Sequence, residues 1–78
     1  MIEAKLKNII ANQFGIVEES ITFDLALVSD LGADSLDLVE IVMSIEQHFG
    51  IVIENQEYAT ADTIGKIVSL INSKLPGA

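Results

Sequence analysis

The sequence predicts an all-α fold: a small bundle of three longer helices and one short helix, with a long loop between the first and second. Apolar residues recur at helical spacing in three windows, over residues 2–14, 35–49 and 64–71. Gly15 and Gly50 fall just past the first two windows, where helices commonly end. The β-like run Ile51-Val52-Ile53 has no second strand to pair with, so it reads as an apolar loop tucked beneath the bundle.

In the first helix Ile2, Leu6, Ile9, Ile10 and Phe14 form an inward stripe, with Glu3, Lys5, Lys7, Asn8 and Gln13 on the other side. From Ile16 to Ala33 no period is sustained, yet Val17, Ile21, Phe23, Leu25, Leu27, Val28 and Leu31 recur among polar residues. So long a connection is uncommon in a compact domain, and its apolar content implies that it is pinned onto the core.

The second helix runs from about Ser35 to His48, with Asp34 as its N-cap and Asp37 adding negative charge at the favourable end of the dipole. At 100° per residue, Leu38, Ile41, Val42, Ile45 and Phe49 share the core face. Leu36, Val39 and Met43 fall opposite, flanked by Asp37, Glu40, Glu46 and Gln47. A small bundle needs no second apolar stripe, so this one reads as a docking surface. Asn55 to Ala59 forms a short turn of helix. Asp62 or Thr63 then caps a last helix carrying Ile64, Ile67, Val68 and Ile71, with Leu70 beside them, ended by Asn72, Ser73, Pro76 and Gly77.

At 78 residues the chain has room for one domain, residues 1–78, and none for a separate catalytic lobe. Twelve acidic residues face four lysines and no arginine, for a net charge of −8. Phosphate backbones need clustered cations, so nucleic acid is excluded as a partner, and basic protein surfaces are the natural ones. The lack of cysteine removes disulfides and fits a reducing compartment. Met1-Ile2-Glu3 lacks the start of a signal peptide, and no apolar run approaches membrane-spanning length. A cytoplasmic monomer is expected.

Ser35 stands just past a glycine turn and between two aspartates, at an exposed helix start. Nothing near it makes it a nucleophile: His48, the only histidine, lies about 20 Å further along the same helix. A presented but unactivated serine is one that another enzyme modifies, and no catalytic residue is assigned. Asp30, Asp34 and Asp37 lack the spacing of a calcium loop, and no His/Cys cluster exists for zinc, so no dedicated metal site is expected.

The block Asp30-Leu31-Gly32-Ala33-Asp34-Ser35-Leu36-Asp37 resembles the attachment motif of acyl carrier proteins. It is close to the form common in the discrete carriers of dissociated fatty acid synthesis. The resemblance extends over essentially the whole chain, including Met1 to Gly15 and Phe49 to Leu75, and weakens after Ile53. It implies a single acyl-carrier domain in which Ser35, within the motif residues Asp34 and Leu36, carries a phosphopantetheine arm. The serine oxygen attacks the phosphate of coenzyme A on a separate, metal-holding phosphopantetheinyl transferase. The arm ends in a thiol, so a cysteine-free chain carries acyl groups as thioesters to the enzymes of fatty acid biosynthesis. Those acyl-processing partners bring basic docking surfaces to Leu36, Asp37, Val39, Glu40, Met43 and Glu46. The attached chain slips between the helices among Leu38, Ile41, Val42, Ile45, Ile53 and Ile64, residues that would equally form an ordinary core.

Two alternatives stay open: a specialised carrier for a polyketide, lipid A or other acyl pathway, and an unmodified acidic adaptor. The segment from Glu54 to Thr60 departs from the fatty acid pattern, with two acids, no proline and a bulky Tyr58. Leu70 stands where many relatives place a tyrosine.

Overall fold

A computed structural model describes residues 2–75 of the chain. In order it contains α1 (Ile2–Phe14), a 3-10 turn (Glu18–Ser20), α2 (Leu27–Leu31), α3 (Ser35–Phe49), α4 (Asn55–Thr60) and α5 (Ile64–Lys74). The all-α expectation holds. Among the described residues the β-type pairing is a single isolated antiparallel bridge, Ala26 with Thr63.

The core is almost wholly branched aliphatic. Leu6, Ile9, Ile10 and Ala11 come from α1, Ile41 and Ile45 from α3, and Ile64, Ile67 and Ile71 from α5. Ile21, Leu27, Ile51 and Ile53 from the connections complete it, and no polar or charged side chain is buried among the described residues. Each such side chain contributes roughly 1.5–3 kcal/mol by leaving water. Leu38, Val42, Phe49 and Val68, expected on core faces, lie half-buried at its margin.

The connection from Ile16 to Ala33 differs from a plain loop. It holds the 3-10 turn and the five-residue α2, too short to show a helical period. Asp30 caps α2 from within, its Oδ2 accepting the Ala26 amide at 2.8 Å. The connection is pinned as expected, and backbone bonds do the pinning. Leu27 N donates to Asp62 O at 3.1 Å, Ile64 N to Leu25 O at 3.0 Å and Gly65 N to Phe23 O at 3.0 Å. At Gly65 a Cβ would sit 3.3 Å from the Phe23 carbonyl oxygen, so the absence of a side chain lets the two backbones approach.

Smaller differences lie at the helix ends. The short helix continues to Thr60, and the cap of α5 is Thr63, whose Oγ1 accepts the Lys66 amide at 3.3 Å. The expected stops at Pro76 and Gly77 lie outside the described residues. Among the described residues two ion pairs involve α5: Lys66 with Asp62 at 3.0 Å, and Lys74 with Glu57 of α4 at 2.9 Å.

Candidate functional site

The approach to Ser35 is set by Gly32 and Ala33. Gly32 adopts φ 67°, a left-handed conformation that costs glycine little and other residues about 1 kcal/mol or more. Its amide donates to Val28 O at 3.0 Å, and the Ala33 amide to Leu27 O at 3.0 Å. Ala33 is buried, so the chain re-emerges at Asp34 and starts α3 at the surface.

Asp34 and Asp37 cap this helix reciprocally. The Asp37 amide donates to Asp34 Oδ1 at 2.9 Å, and the Asp34 amide to Asp37 Oδ2 at 3.2 Å. Ser35 is the first helical residue, is exposed, and is not needed as a cap. The amides of Ser35 and Leu36 have no acceptor among the described residues, which leaves positive helix-end character beside the serine oxygen.

From this serine a stripe runs along α3. Leu36, Val39 and Met43 are 65%, 44% and 52% exposed, well outside the core. Two of the flanking acids meet a residue of α1: Gln13 Nε2 donates to Asp37 Oδ1 at 3.2 Å and to Glu40 Oε1 at 2.7 Å. Glu46 is half-buried, and its Oε2 accepts the Ile53 amide at 2.9 Å. Sequence reasoning missed all three of these bonds. Gln13 carried no signal beyond its place on the polar face of the first helix.

Of the six residues expected around an acyl chain, Ile41, Ile45, Ile53 and Ile64 belong to the central cluster, with Leu38 and Val42 packed against it. His48 lies exposed near the far end of α3, with Nδ1 donating to Ser44 O at 2.8 Å. Among the described residues no three His, Cys, Asp or Glu side chains gather as metal ligands. Asp30, Asp34 and Asp37 each use a carboxylate oxygen on a backbone amide instead. No helix is long and apolar enough to cross a membrane among the described residues.

Two carboxyls away from α3 are held below the usual range. Glu57 is lowered chiefly by accepting the Glu54 amide and next by Lys74, while Asp62 is lowered by its bond to Lys66.

An exposed, uncapping serine on a helix N-terminus has the geometry that an attachment site for a phosphate-linked group would need. Sequence comparison agrees, since the family described as the phosphopantetheine attachment site matches residues 4–71. The acyl carrier protein of Thermotoga maritima is 43% identical over 74 residues, covering 95% of this chain and 91% of that one. The chain belongs to the acyl carrier family of phosphopantetheine-attachment proteins, which are carriers and not enzymes. Phosphopantetheine is its cofactor. The local structure is compatible with that group, because the free amides at the start of α3 would favour a phosphate attached there.

Proposed function

We propose that Ser35 is the attachment residue and that the protein delivers acyl chains to the enzymes of fatty acid biosynthesis. The observation that carries this reading is the division of labour at the start of α3. Asp34 and Asp37 do the capping, which leaves the Ser35 hydroxyl exposed and unengaged. During loading, Ser35 Oγ bonds to the phosphorus of the arm and the pyrophosphate link of coenzyme A breaks. Adenosine bisphosphate departs, and the hydroxyl proton passes to the transferase. The arm then supplies a terminal thiol on which acyl groups travel as thioesters.

In this reading residues 1–78 work as one carrier domain, monomeric and cytoplasmic. The stripe of Leu36, Val39 and Met43, rimmed by Asp37, Glu40 and Glu46, receives the transferase and the acyl-processing enzymes through their basic surfaces. A chain on the arm is sheltered among Leu38, Ile41, Val42, Ile45, Ile53 and Ile64. A specialised acyl pathway is the second reading, favoured by the unusual composition of Glu54 to Thr60.

Incubation with a phosphopantetheinyl transferase and coenzyme A should add the mass of one arm to the wild type and nothing to Ser35→Ala. The variant should stay folded, because the Asp34–Asp37 box remains. Labelling that persists in Ser35→Ala sinks the assignment. Intact mass of the protein from its own cells then decides the pathway. A ladder of saturated acyl chains supports fatty acid synthesis, and one unusual acyl group points to the specialised alternative.

A further inference from the structure

We propose that Gln13 of α1 is a positioning residue for the acidic docking face, holding Asp37 and Glu40 as a preformed pair for a basic partner. The inference rests on the docking reading above and deepens it by adding a second helix to recognition. Asp37 and Glu40 are three residues apart on α3, so their like charges are neighbours and repel. One side-chain nitrogen contacts both, at 3.2 Å and 2.7 Å, which uses both hydrogens of the amide. That leaves the two carboxylates fixed side by side instead of splayed apart.

The arrangement reaches the attachment site as well. Asp37 spends Oδ1 on Gln13 and Oδ2 on the Asp34 amide, so both of its oxygens are held and its rotamer is fixed. Asp34 in turn precedes Ser35. Glu40 has Oε1 on Gln13, and Oε2 makes no hydrogen bond among the described residues. Oε2 is the oxygen left for a guanidinium or ammonium group. Beside it lies a surface groove of about 310 Å³, lined by Gln13, Glu40, Met43, Ser44 and Gln47. Gln13 therefore forms part of the wall against which such a group would rest. A side chain ordered before binding does not lose that freedom on association, which is the gain expected from preorganisation.

The test is a double-mutant cycle on arm loading, using a phosphopantetheinyl transferase with coenzyme A and the full chain as substrate. Gln13→Leu keeps the volume and removes both donors. It should raise the KM for the carrier about three- to fivefold with kcat unchanged, in keeping with exposed charge contacts. In a Glu40→Gln background the same substitution should change KM less than about twofold, because the pair it organises is gone. Gln13→Lys should not rescue binding, because its ammonium would pair with Asp37 and Glu40 itself and repel the basic partner. A merely structural tie between helices would lower the melting temperature equally in both backgrounds and leave KM alone, and that result overturns the proposal. If Glu40→Gln itself leaves KM unchanged, the docking reading fails first. If Glu40→Gln raises KM and Gln13→Leu does not, the docking reading stands and the role of Gln13 falls.

Discussion

Glu46 and Ile53 are joined at 2.9 Å, the carboxylate Oε2 accepting a backbone amide seven residues along. Ile53 is buried, so its amide leaves water on folding and needs an acceptor. A glutamate that the helical wheel places beside the docking stripe thus also ties the apolar loop after α3 to the helix.

Glu46→Ala should cost about 1–3 kcal/mol in urea unfolding, the penalty for stranding a buried donor. Glu46→Gln keeps an oxygen in place and should recover most of it. Glu40→Ala, with no backbone group depending on it, should stay within about 0.5 kcal/mol of wild type. Equal losses for Glu46→Ala and Glu40→Ala would show that the bond to Ile53 carries no weight.

The two faces of α3 should separate cleanly by mutation. Met43 is 52% exposed and Ile45 only 2%. Met43→Ala should weaken use by partner enzymes while thermal unfolding barely moves, whereas Ile45→Ala should cost about 2–5 kcal/mol. Unfolding of the domain by Met43→Ala would mean that the stripe is core.

Acid should act through Glu57. Its carboxyl is held down first by the Glu54 amide and then by Lys74, so the folded value lies below the unfolded one. The ionised group stabilises the fold above its unfolded value, and this contribution is lost as pH falls through the lowered folded value. Relief of the −8 net charge works in the opposite direction on acidification, so the whole-protein profile mixes two signs. The difference between wild type and Glu57→Gln isolates one of them. That difference should be present at neutral pH and shrink on acidification across this carboxylate window. A difference that stays constant with pH would remove Glu57 from the account.

Salt should stabilise the protein. With −8 on a chain of 78 residues, screening relieves more repulsion than it weakens attraction in the two ion pairs, of which Lys66–Asp62 is well exposed. Millimolar divalent cations should act in the same direction. A gain of about 1 kcal/mol would appear as roughly 4–8 °C in melting temperature. A flat response in calorimetry would show that local pairing already offsets the repulsion.

The three longer helices were legible because each repeats its isoleucines and leucines over enough turns to display a period, with glycine closing the first two. The family was legible for a different reason, since the motif around Ser35 is a contiguous block that chain order alone preserves. The five residues of α2 were not, because Leu27–Leu31 is shorter than two helical turns and is held by Asp30 and Gly32 more than by a face. Nor were the contacts of Gln13 with Asp37 and Glu40, or of Glu46 with Ile53. A helical wheel shows which way a side chain leaves its own helix and says nothing about what another segment brings to meet it.

The backbone seam between Phe23–Leu27 and Asp62–Gly65 has a kinetic consequence. It fastens the chain just after α4, while the Glu46–Ile53 bond fastens it just before. Between these two anchors α4 contributes no fully buried residue, and Lys74 holds it through Glu57. Its amides should therefore exchange with solvent through a local opening that leaves the isoleucine cluster packed, far faster than those of α1 or α3. If an acyl chain is sheltered among the helices as proposed above, this flap is where it can enter and leave while the rest of the fold stays in place as its frame.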